Sequence, residues 1–169
     1  KDADLPDMQR EVEELKDRLD TARRSRDDVD QKLGPYFQGQ AMLTPTLASG
    51  FLRDLQVVEA EAPEDAKLGT LSTRFADGMV RAVQQSVKFP AQVTVSTLQQ
   101  AAEMTDLIEQ APARPRTGSI DGLRQEIVRQ GLAAVTERLK FGANDPARDI
   151  QAQLEEAAEL AEAIPPLYG

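Results

Sequence analysis

The chain has 169 residues, with 29 acidic against 20 basic side chains and a formal net charge of −9. That balance argues against sequence-independent nucleic-acid binding, which needs a basic surface to displace counterions from phosphates. The chain has neither cysteine nor histidine, which excludes disulfides and thiolate metal sites and removes the commonest general base and transition-metal ligand.

Aromatic residues make up 4% and tryptophan is absent, so the core has to come from Leu, Val, Ile and Ala. No apolar run approaches the ~18 residues of a membrane span, and no transmembrane segment is expected. Lys1 stands where a start methionine would, as expected of a processed or truncated product.

The first segment carries the strongest pattern. Leu5, Met8, Val12, Leu15, Leu19, Ala22, Arg26, Val29, Leu33 and Tyr36 are spaced alternately three and four apart. This is a heptad seam with one polar member, Arg26, and it predicts a coiled-coil helix over residues 1–36. No Gly or Pro interrupts Asp7 to Leu33, a rod of roughly 40 Å. Glu14 and Arg18 form a favourable i, i+4 pair. A charge at a seam position lowers stability yet can fix register or oligomeric state, and Arg26 is the candidate. In a parallel homodimer Glu11 would attract the partner's Lys16, whereas Arg18 would repel the partner's Arg23. Flanking charge therefore leaves parallel pairing, an antiparallel hairpin with a later helix, and a different partner all open. Gly34-Pro35 is predicted to stop the helix.

Helices two to four are expected within residues 44–111. Thr44-Pro45 reads as an N-cap followed by proline at the first helical position, and Ala62-Pro63 as the end. Leu47, Phe51, Leu55 and Val58 form the apolar stripe between them, weakened by Ser49-Gly50. The third helix starts near Pro63-Glu64-Asp65, with Gly69 able to split off a first turn. Leu71, Phe75, Met79, Val83 and Val87 form its face, and it ends at Lys88-Phe89-Pro90. The fourth runs from about Ala91 to Gln110 on Leu98, Ala101, Thr105 and Ile108. The β-branched run Val93-Thr94-Val95 leaves its first turn open.

Ala111 to Gly118, with two prolines, reads as a stiff linker. A C-terminal helical pair with an apolar tail follows over residues 119–169. The first member begins at Ser119 as N-cap and buries Ile120, Leu123, Ile127, Val128, Leu132, Val135 and Leu139, closing at Phe141-Gly142. The second begins at Asp145-Pro146, carries Ile150, Leu154, Ala157, Ala161 and Ile164, and stops at Pro165-Pro166. The fold expected is all-α: an up-and-down bundle of about five to six helices with a long N-terminal heptad helix.

Chemical motifs are sparse. Neither the Gly-x-x-x-x-Gly-Lys nor the Gly-x-Gly-x-x-Gly phosphate loop occurs. Gly118-Ser119-Ile120-Asp121-Gly122 superficially matches a nucleophile elbow, but no strand precedes it and no histidine serves it, so Ser119 reads as a cap. Asp28-Val29-Asp30 opens like a calcium loop, but Lys32 and Leu33 stand where a ligand and a glycine belong. Arg23, Arg24 and Arg26 are answered by Asp27, Asp28 and Asp30, a mixed solvated face. Among the acids, Glu103 and Glu126 sit beside apolar residues and are the ones to check for burial. No catalytic, cofactor-binding or metal-ligating residue is predicted.

The terminal Leu167-Tyr168-Gly169 resembles the hydrophobic-tyrosine-any tail by which proteasome activators insert between ring subunits. In that family the tyrosine and terminal carboxylate dock, and here Pro165-Pro166 would serve as an extended lead-in. The resemblance implies an adaptor or activator, with Leu167 and Tyr168 as contacts. The leading expectation is a non-catalytic structural or interaction protein, a homo- or hetero-oligomer or complex subunit. Its contacts would be Leu5, Met8, Val12, Leu15, Leu19, Val29 and Leu33. A third reading is an apolar ligand carrier whose cavity is lined by Phe51, Phe75, Phe89 and Phe141.

Overall fold

The computed structural model describes the backbone of residues 4–141, 144 and 146–168, and the side chains of these up to residue 164. It is all-helical among these residues: α1 (Asp4–Phe37), α2 (Pro45–Glu61), α3 (Ala66–Ser86), α4 (Val95–Gln110), α5 (Ile120–Arg138) and α6 (Ala147–Tyr168), with a short 3-10 turn at Pro90–Gln92. The helices pack as an up-and-down bundle. α3 touches α1, α2, α4 and α5, and α4 touches α2, α3, α5 and α6, so these two form the middle. α1 and α6 lie on opposite flanks and do not meet among the described residues.

The helix starts follow from side-chain caps. The Thr44 hydroxyl accepts from the Leu47 N–H, with Pro45 at the first position. The Asp65 carboxylate accepts from the Lys67 and Leu68 N–H groups. Thr94 and Thr97 form a reciprocal capping box, and the Ser119 hydroxyl accepts from the Gly122 N–H. Each satisfies a donor that the first helical turn leaves without a partner. The caps at Thr44 and Ser119 are those expected from sequence, and Asp65, expected only near the start of the third helix, is its cap. α4 starts later than expected, at Val95. The residues before it form the 3-10 turn, held by Arg138, which donates to the Pro90 and Val93 carbonyls at 2.8 and 2.6 Å. The 111–119 linker is also held down: Asp77 accepts from the Arg116 and Thr117 N–H groups and the Thr117 hydroxyl.

Three expected helix breaks are not breaks. α1 runs through Gly34-Pro35 to Phe37. Proline's fixed φ suits a helix and its missing N–H costs one bond, while the ladder resumes as Gln38 N–H donates to the Gly34 carbonyl. The residue that ends the run is Gly39, at φ +74, a conformation natural to glycine alone. Gly69 lies inside α3 without splitting it. The α6 backbone remains helical through Pro165-Pro166 to Tyr168, so the expected extended lead-in is absent.

One core of buried side chains draws on every helix, from Ala22, Val29 and Leu33 of α1 to Leu160 and Ile164 of α6. The stripes expected for α3 and α4 are the buried ones. Those of α2, α5 and α6 are rotated in part. In α2, Ala48 and Leu52 are buried and Leu47 is exposed. In α5 the buried line is Leu123, Ile127, Gly131 and Ala134, leaving Leu132 and Leu139 exposed. In α6 it is Ala157, Leu160 and Ile164, leaving Leu154 exposed and Ala161 exposed. In α5 and α6 the line of burial runs past Gly131. A Cβ there would stand 3.0 Å from Ile164 Cδ1 and 3.4 Å from Leu98 Cδ2. The closest approach of α4, α5 and α6 is thus built on the smallest residue, and large residues are turned to its sides.

Gly131→Leu is expected to destabilise the fold by about 2 kcal/mol through overpacking. Gly50→Ala, where an added Cβ meets nothing, should stabilise it by about 0.5 kcal/mol through helix propensity. Urea denaturation of the two variants checks both signs.

Candidate interaction surface

α1 is 34 residues long, about 50 Å, and its seam divides in two. In the carboxy-terminal half Ala22, Val29 and Leu33 are buried against the body, which α1 meets through α2 and α3. Tyr36 is half-buried and stacks edge-to-face on Phe51 at 5.8 Å, which in turn meets Phe75 at 6.4 Å.

Arg26 sits in the middle of this covered half, 6% exposed. Its Nη1 donates to Asp65 Oδ2, while its Nε and Nη2 donate to Asp27 Oδ1 at 3.0 and 2.8 Å. Asp65 therefore both caps α3 and pairs with the buried guanidinium. Burial alone would raise the Asp65 carboxyl. The Leu68 and Lys67 N–H groups and the Arg26 guanidinium outweigh it and hold the carboxyl below the ordinary carboxylate value. Burial likewise opposes the Arg26 charge, but its bonds to Asp27 and Asp65 keep it above its ordinary value. The polar seam residue thus fixes the register of α1 on its own α2–α3 turn. A second tie lies near the edge of the body. Arg18 turns from the expected Glu14 to Glu61 of α2, with Nε and Nη2 at 3.1 and 2.9 Å from Oε2.

The amino-terminal half of the seam has no such cover. Leu5 is 57% exposed, Met8 60%, Val12 51% and Leu15 59%. Leu19, half-buried, marks the border. It lines an open cleft of about 750 Å³ between α1 and the α2–α3 turn, together with Arg23, Arg26, Glu61, Glu64 and Lys67. Of the predicted contact residues, Leu5, Met8, Val12 and Leu15 form one free stripe, Leu19 ends it, and Val29 and Leu33 are taken up by the chain's own core. Leu167 and Tyr168 close α6, and their side chains, with Gly169, lie outside the described residues.

The other expected sites disperse. Phe75 is fully buried, Phe51 half-buried, and Phe89 and Phe141 are exposed, so the four phenylalanines do not line one cavity. Glu103 is exposed and Glu126 half-buried beside Arg129. Asp28 pairs with Lys32 at 2.8 Å and Asp30 with Arg74 at 3.7 Å, as surface charges do.

Asp65→Asn keeps the cap and removes the charge. It is expected to cost about 2 kcal/mol at neutral pH, since a buried cation loses one of its two partners. Because the folded carboxyl is held low, the wild-type advantage is full above the ordinary value of 3.8 and is lost as pH falls through the lowered one. Denaturation of both proteins from pH 7 to pH 2 should therefore show the two curves converging only at the acid end. No protein-family model matches this chain, and it has no match among curated proteins or solved structures.

Proposed function

We propose that this protein is a non-catalytic interaction protein, a subunit of a helical assembly that it enters through the projecting amino-terminal half of α1. The observation that carries the reading is the division of a single stripe. The same heptad positions are buried below Leu19 and about half exposed above it. A helix that leaves its bundle would ordinarily turn polar all round, whereas this one keeps Leu, Met, Val and Leu in line. Completing their burial against a partner helix is worth roughly 1 kcal/mol each, the scale of a seam that forms with a partner and not of a fold that needs it.

The residue types support a non-catalytic role. Without cysteine or histidine, nucleophilic and acid–base work would fall to carboxylates, lysines and hydroxyls. Two of the half-buried carboxylates are spent on structure: Asp65 on a cap and an ion pair, Asp77 on the linker.

Val12→Asp and Leu15→Asp should leave far-UV circular dichroism and the melting temperature of the isolated chain within about 2 °C of wild type, because both positions are already wet. Leu33→Asp should unfold it. The same two amino-terminal variants should abolish any assembly of higher mass seen by sedimentation. Assembly that persists in both would remove the stripe from its proposed role.

A further inference from the structure

We infer that the free half of the α1 seam pairs with the same segment of a second copy of this chain, running antiparallel. The inference rests on the reading of that half as a docking face, and it names the occupant.

Three observations select this geometry. The first is steric. The seam residues beyond Leu19 are covered, on the same helix face, by the chain's own α2 and α3. Two copies aligned in parallel would bring both bodies into the same space between the helices. Antiparallel copies place the bodies at opposite ends.

The second is register. With Ala22 closed off, one alignment uses all four free residues and none of the buried ones. Leu5 faces the partner's Leu15, and Met8 faces the partner's Val12. This is the alternation of seam positions that antiparallel helices require.

The third is charge and area. In that register Asp4 approaches the partner's Arg18 at both ends. Arg18 already holds Glu61 but keeps most of its side chain in solvent, so a second carboxylate has access. Glu11 meets its own copy at the midpoint, a single like-charge contact that weakens the pair. Each free side chain presents on the order of 100 Å² of surface, so two copies cover about 800 Å² of apolar area, below the roughly 1,200 Å² at which stable interfaces begin and in the range of weak, transient ones. The pairing is accordingly weak, with a dissociation constant on the order of 10–100 µM.

The test combines mass and cross-linking in the full chain. Sedimentation between about 10 µM and 1 mM should show the 18.5 kDa chain rising toward twice its mass, a rise that Leu15→Asp removes and Glu11→Gln moves to lower concentration. Because the chain has no cysteine, Leu5→Cys mixed with Leu15→Cys under mild oxidation should give the mixed disulfide in excess over either symmetric one. Met8→Cys with Val12→Cys should do the same. Symmetric disulfides in excess would overturn the antiparallel pair. A chain that stays monomeric alone, but runs in a larger complex in source-cell extract until Leu15→Asp releases it, would overturn self-pairing and spare the docking face. A monomer under both conditions would overturn both.

Discussion

An apolar stripe, interrupted only by Arg26, runs the length of a helix that its own bundle covers only in part. α1 is stable as a helix because its carboxy-terminal half is buried, with Val29 and Leu33 in the core. Packing of that half nucleates the rest, since a free segment of about 15 residues would be a marginal helix in water. The length of α1 that projects follows from where this cover stops. It stops near Leu19, where the α2–α3 turn crosses the seam.

The buried ion pair of Arg26 with Asp65 and Asp27 sets that stopping point. An arginine at a seam position has to find carboxylates or give up burial, because an unpaired buried cation is costly. Only the α2–α3 turn supplies Asp65, so α1 can lie on the body in one axial position. A slide of one heptad toward the core would put Arg26 in the place of Leu33, against apolar surface. The pair contributes little net stability, and its effect is to specify register. The length of helix that projects is therefore fixed by an interaction about six turns from its free end.

The opposite flank is built on a different constraint. α4, α5 and α6 close around Gly131, whose missing side chain admits Ile164 and Leu98. With α6 packed there and α1 on the far side without contact, the projecting helix and the α5–α6 pair are independent faces of one core. Leu132, Leu139 and Leu154 are exposed there because the small residue, and not the large ones, marks the line of closest approach.

The sequence by itself determined the helical class, the caps at Thr44 and Ser119, the start of α3 near Asp65, and the stripes of α3 and α4. These depend on spacing and on side chains that bond within a turn or two of their own position. It also determined that α1 carries a heptad seam, and it marked Arg26 as the unusual member. Only tertiary structure decided which half of that seam is covered, that Arg26 pairs within the chain, and that Arg18 leaves Glu14 for Glu61. Spacing identifies a greasy face without saying what meets it, and the deciding partners lie about forty residues away in sequence. The break expected at Gly34-Pro35 failed for the same reason. Proline removes one hydrogen bond and a glycine weakens a helix locally, and whether the chain turns there is settled by the packing available to the residues that follow.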